Sequence, residues 1–150
     1  MIRIINEDHR SIPDEDIEFD PDTGTITGYI GESKDVSIPP SINNVEVKHI
    51  GDFAFSSKQL ISVTIPDGVT TIGNKAFRWN KLTNVTIPDS VTDIGESAFF
   101  SNEISGIILS NNITKLKEDV LRANLLTDVK IPDNVTEIQP GAFFTICSRV

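Results

Sequence analysis

Chemistry needs reactive side chains at defined spacings, and this sequence offers few. The only histidines are His9 and His49, and the only cysteine is Cys147. No pair of them falls in a nucleophile–base motif or at a zinc-ligand spacing. No glycine-rich loop is present that could cradle a phosphate. The one dense acidic run is Asp14, Glu15, Asp16, Glu18, Asp20 and Asp22. It resembles a calcium loop only superficially. Gly24 falls one place too early, and no glutamate stands at the loop's last position. A solvated acidic surface is the better reading. The sequence therefore points to no catalytic residue, no metal and no cofactor.

The elements that would position any site show themselves as a repeat, and internal periodicity governs every later inference. Ile65, Ile87, Leu109 and Ile131 are separated by 22 residues each. Val69, Val91, Ile113 and Val135 keep the same step, as do Ile72, Ile94, Leu116 and Ile138. The pairs Ala76-Phe77, Ala98-Phe99, Val120-Leu121 and Ala142-Phe143 follow it too. An earlier copy holds Ile38, Pro39, Ile50, Ala54, Phe55 and Leu60, stretched by an insertion. That makes five copies over residues 35–150.

Each copy is one turn of a coil. Leu82-x-x-Val85-x-Ile87 alternates apolar residues as a half-buried strand does. Pro88-Asp89-Ser90 ends that strand and opens a turn. Val91 to Ile94 is a second extended piece. Ala98-Phe99 is expected in a short turn or helical stretch that sends a ring inward. One coil cannot bury its own apolar residues, but stacked coils can. Equivalent residues then form columns, with neighbouring coils ~4.8 Å apart through parallel strand pairing. Residues 1–34 lie outside the repeat. Ile17–Asp20 and Thr25–Ile30 flank the turn formers Pro21-Asp22-Thr23-Gly24, which predicts a β-hairpin. It is expected to cap the first coil. Its segment holds nine acidic and three basic residues, so it would also oppose end-to-end pairing.

Several columns are candidates for contact with a partner. On each strand the residues flanking the central apolar one face outward. That gives Ser62, Asn84, Gly106 and Asp128, and beside them Thr64, Thr86, Ile108 and Lys130. Arg78 and Trp79 stand between the inward Phe77 and Asn80, and Trp79 is the only tryptophan. Phe100 and Arg122 share the column of Arg78. An exposed aromatic and basic stripe would suit a protein or a sugar, since Arg and Trp dominate binding hot spots. Trp79 could equally fold back and cover the coil edge. Asn80, Asn102 and Asn124 read as structural amides that satisfy backbone groups at successive turns. Thr70, Thr92, Thr114 and Thr136 form a ladder. Thr71, Asp93, Lys115 and Glu137 beside it spoil the flat, regular face that ice binding would need.

The pattern L-x-x-V-x-I-P-x-x-V-x-x-I-G-x-x-A-F-x-x-N, seen at Leu60–Asn80 and Leu82–Asn102, resembles the BspA-like leucine-rich repeats of bacterial surface antigens. Gly24 to Tyr29 and Asp35 to Pro39 are similar to the entry region of such proteins. The resemblance implies a leucine-rich-repeat solenoid of the α/β type: a right-handed coil of mostly short parallel strands joined by turns and short helices. It also implies surface display, adhesion or protein binding, and no enzyme activity. The fourth copy departs from the pattern at Leu109-Ser110 and Val120-Leu121, yet keeps its apolar columns.

Charge and hydropathy limit the partners. The net charge is -9, which repels phosphate backbones and argues against nucleic acid. No apolar run approaches the ~18 residues of a membrane span. The start, Met1 to Asp8, does not read as a secretion signal, because acids follow a short apolar stretch. Cell-surface or secreted placement therefore rests on the resemblance alone, and a cytoplasmic place stays open. Phe143, Phe144 and Ile146 lie near an end without a polar cap, so a homodimer through the last coil is expected.

Overall fold

The structure is a computed structural model that describes residues 11–145. A short 3-10 turn at Asp14–Asp16 leads into β1 (Ile17–Asp20), which pairs antiparallel with β2 (Thr25–Tyr29). The first coil carries β3 (Asp35–Ser37) and β6 (His49–Ile50). Between them the insertion forms its own small hairpin, β4 (Ser41–Ile42) against β5 (Val45–Glu46). Asn43 and Asn44 make its tip at φ 50° and 66°. Asparagine tolerates that left-handed region better than most residues. The next three coils repeat a strand pair: β7 (Ser62–Thr64) and β8 (Thr71–Ile72), β9 (Asn84–Thr86) and β10 (Asp93–Ile94), β11 (Gly106–Ile108) and β12 (Lys115–Leu116). The fifth keeps only β13 (Glu137–Ile138).

Pairing between coils is parallel and in register with the repeat. Ile26, Ile50, Ile72 and Ile94 stand side by side in the sheet β1-β2-β6-β8-β10. The hairpin thus joins the stack through β2. On the other strand row, β3 pairs with β7 and β9 with β11. Close stacking needs small residues at one bend. A Cβ on Gly73 would come within 2.6 Å of the Asp52 amide nitrogen, and Gly95 is hemmed in by Asn74 in the same way. Coil four puts Lys117 at that place. The ladder stops between β10 and β12, and Lys117 instead reaches the Asp93 carboxylate at 2.8 Å. Pairing resumes between β12 and β13.

The core is the set of inward columns. Tyr29, Phe55, Phe77 and Phe99 stack ring on ring at 5.5, 5.2 and 5.3 Å, with the last three nearly parallel. Leu121 interrupts the column, and Val120 beside it restores some of the lost volume. Ser110, which replaces the usual proline, is fully buried and donates its hydroxyl to the Val91 carbonyl at 2.6 Å. A buried hydroxyl without that acceptor would be destabilising.

Around the Ala-Phe pairs, where a short turn or helical stretch is expected, the chain forms turns and no helix. Among the described residues the only helical element is the 3-10 turn before β1. Lys75 and Trp79, Ser97 and Ser101, and Asp119 and Ala123 all sit at φ between 54° and 59°. Those left-handed residues turn every second amide toward the next coil. Phe55, Phe77, Phe99 and Leu121 donate to Ala76, Ala98, Val120 and Ala142 at 2.8–3.0 Å. The bonds a helix would keep within itself are spent between coils, so the repeat is a β-solenoid.

Candidate functional site

The asparagine column is structural. Asn80, Asn102 and Asn124 are buried. Asn80 Oδ1 accepts from the amides of Lys58 and Leu60 at 3.1 and 3.0 Å, while its Nδ2 donates to the Phe55 and Phe77 carbonyls. Asn102 accepts from Leu82, and Asn124 from Ile104. Such bonds close each turn and leave no group for a ligand. The threonine ladder also serves the backbone, since Thr70 and Thr92 hydroxyls meet the Lys48 and Thr70 carbonyls.

The aromatic and basic stripe is exposed. Trp79 is 51% exposed and does not fold over the coil edge. Its left-handed backbone, φ 58°, carries the indole outward. The Arg78 guanidinium lies 3.9 Å from the Trp79 ring centre and 5.5 Å from the Phe53 ring. Lys75 Nζ approaches the same Phe53 ring at 5.4 Å. Such contacts hold a cation over an aromatic face. Further along, Phe100 is half-buried in the column of Arg78. Arg122 lies 5.2 Å from the Phe144 ring and 3.3 Å from the Asp119 carboxylate. The structure thus joins Arg78 and Trp79 into one cluster and pairs Arg122 with the far end of the column. Sequence reasoning missed Phe53 and Lys75. Their place in the left-handed position of the turn, which points them outward, carries no glycine or asparagine signal.

The strand row presents a second surface. Asn84 and Thr86 are exposed on β9, and Ile108 on β11 is 65% exposed opposite Thr86. A depression of about 350 Å³ between coils two and three is lined by Thr64, Asp67, Asn84, Thr86 and Pro88. A smaller one, about 210 Å³, lies among Ile107, Ile108, Asn111, Lys130 and Pro132. Asp128 and Lys130 are exposed but belong to no strand. They lie beyond the last paired strand of this row, and Lys130 borders Ile108 in the smaller depression. No group of three or more His, Cys, Asp or Glu side chains that could hold a metal ion exists among the described residues.

This geometry can hold another molecule by shape, apolar contact and charge. Comparison with known proteins places it. A model of the BspA-type leucine-rich repeat region, six copies long, matches residues 33–149. The chain belongs to the BspA-type leucine-rich repeat family. Among solved structures it is similar to a leucine-rich cell surface protein of Faecalibacterium prausnitzii, 25% identical with a TM-score of 0.52, over 85% of this chain and 49% of that one. It is also similar to a leucine-rich repeat protein of Bacteroides ovatus, 26% identical with a TM-score of 0.55, over 73% of this chain and 34% of that one. The chain therefore spans half or less of the length of these two relatives. No curated protein matches it. Among the described residues, no helix is long and apolar enough to cross a membrane.

Proposed function

We infer that the chain is a non-enzymatic binding module that holds a protein or glycan partner on its outward columns, as part of a bacterial surface protein. The observation that carries this is the exposed Trp79 and Phe53, with the half-buried Arg78 held between their rings, on a solenoid whose inward columns are already satisfied. Burying so large an aromatic surface in the core would favour the chain by itself, so its exposure on a rigid turn is better explained by a partner. Surface placement rests on the name of the Faecalibacterium prausnitzii relative. In this reading residues 1–34 are a cap and residues 35–150 the binding array.

The test is retention of the labelled chain on arrays of extracellular proteins and of glycans. The wild type is expected to be retained by a subset. Trp79→Ala should weaken that retention about tenfold, as loss of a hot-spot side chain does, with an unchanged circular dichroism spectrum. Equal retention of Trp79→Ala would remove the cluster from the account, and no retention on either array would remove the binding role.

A second reading is self-association through the fifth coil. Ile138 and Phe144 there are 53% and 55% exposed, whereas Ile72, Ile94 and Leu116 are buried. Ile146, also expected at this interface, lies outside the described residues. A dimer by light scattering that Ile138→Ser abolishes would support this reading, and a monomer at high concentration would sink it.

A further inference from the structure

The cations of this acidic chain are not spread evenly. The described residues include ten Lys and Arg side chains. Lys48, Lys115, Lys117 and Arg122 form ion pairs with carboxylates. Of the six with no ion pair among the described residues, Lys130 stands apart. The other five gather on one side of the first two coils. Asn80 is the hub. Lys58 donates its amide to Asn80 Oδ1 at 3.1 Å, and Arg78, Trp79 and Lys81 lie beside Asn80 in the chain. Lys34 Nζ reaches the Lys58 carbonyl at 3.0 Å. Lys75 and Arg78 flank Phe53.

Apolar side chains interleave with these charges. Phe53, Ile61 and Trp79 are each about half exposed. Ile61 is tied to the group, because its amide donates to the Lys34 carbonyl at 2.7 Å. Asp52 accepts from the Asn74 amide at 2.8 Å and Asp35 from the Ser62 hydroxyl at 2.7 Å, and neither is ion-paired with these cations among the described residues. Like charges gathered without ion-pair partners favour an anionic partner.

We propose that this patch docks an acidic protein segment that also carries apolar side chains. The proposal rests on the binding-module reading and names the chemistry of its partner. A protein segment fits better than an anionic glycan for two reasons. Ile61 and Phe53 offer apolar surface that a hydroxylated chain would leave unpaired. One face of the Trp79 ring, which a sugar would stack on, already holds the Arg78 guanidinium.

The test uses the full chain and four probes: a labelled peptide repeating Glu-Phe-Glu-Leu, its Gln-Phe-Gln-Leu counterpart, polyglutamate and polygalacturonate. The acidic–apolar peptide is expected to bind best, and more weakly as salt rises. Lys58→Glu with Lys81→Glu should weaken it about tenfold or more, while Lys48→Glu, outside the patch and paired with Glu46, leaves it unchanged. Lys81 is exposed and Lys58 partly exposed, and circular dichroism verifies the fold. Tighter binding of polygalacturonate would overturn the proposal in favour of a glycan. Equal loss with Lys48→Glu would reduce it to net charge. Wild-type dimers dissolved by the double reversal would assign the patch to the acidic hairpin of a second copy, and that also overturns it. If none of the four probes binds while an array ligand is still retained through Trp79, this proposal alone falls. If arrays retain nothing either, the binding-module reading falls with it.

Discussion

Replacing Asn80 by alanine should destabilise the chain more than the same change at Asn102. The difference follows from counting the groups each amide satisfies. Asn80 Oδ1 is the acceptor for two amides, the part-buried Lys58 and the buried Leu60, and its Nδ2 donates to the Phe55 carbonyl and to the Phe77 carbonyl, which keeps a second donor in Asn102. Asn102 Oδ1 serves one amide, that of Leu82. Its Nδ2 donates to Phe77 and Phe99, carbonyls that keep a second donor in Asn80 and Asn124. A buried group left unpaired costs about 1–3 kcal/mol, and an ordinary lost bond about 0.5–1.5 kcal/mol. Asn102→Ala, with one orphaned amide and two weakened carbonyls, should therefore cost about 3 kcal/mol. Asn80→Ala, with the buried Leu60 amide and Phe55 carbonyl orphaned and the part-buried Lys58 amide and the Phe77 carbonyl each losing a bond, should cost about 5 kcal/mol. Urea unfolding followed by circular dichroism measures both, with Asn84→Ala on the exposed strand row as a control expected within about 0.5 kcal/mol of wild type. Equal losses at Asn80 and Asn102, or a loss at either no larger than at Asn84, would refute the bond counting.

Other expectations follow from particular contacts. In the fourth coil Val120-Leu121 replaces Ala-Phe, and both residues are buried. Leu121→Phe alone should overpack the column and cost about 1–3 kcal/mol, whereas Val120→Ala with Leu121→Phe should recover most of it; a double-mutant cycle without coupling would contradict this. Gly95→Ala should lower stability by about 2 kcal/mol or more, because the added methyl meets the backbone of the preceding coil. A thermal midpoint equal to wild type would show that the coils can part there at no cost. Burial, followed by the negative charge of Asp16, raises the Tyr29 hydroxyl above its usual value of 10.0, despite the opposing bond to Ser33. A raised acid is protonated more readily in the folded state. Stability is therefore full below the unfolded value and falls as pH rises from there through the folded value. Tyr29 is the only tyrosine, so absorbance near 295 nm (the phenolate band) follows it alone. Titration at or below the free-tyrosine value in the native chain would contradict the burial of that ring.

The inward half of this molecule was legible in the sequence because the 22-residue step repeats it. Ile72, Ile94 and Leu116 fall in one buried column, and the asparagines fall in another. The turn conformation was not legible. Lys75 and Trp79 adopt left-handed φ without the glycine or asparagine that usually marks it. Stacking imposes that choice, since the freed amides bond to the neighbouring coil. The site was half legible for the same reason. Arg78 and Trp79 stood out by residue type, but Phe53 and Lys75 join them only once the turn's direction is known. Lys34 and Lys58 reach the cluster through contacts between coils that no spacing announces.

The most direct test of the account is a side-by-side measurement of binding and stability for wild type, Trp79→Ala and Asn102→Ala. The outward cluster should govern binding, and the inward column should govern stability. Trp79→Ala is expected to lose retention on the extracellular protein and glycan arrays while unfolding at the wild-type urea midpoint. Asn102→Ala is expected to unfold earlier yet be retained normally while folded. If Trp79→Ala keeps full retention, or loses it only because it unfolds, the division between binding surface and structural core is wrong.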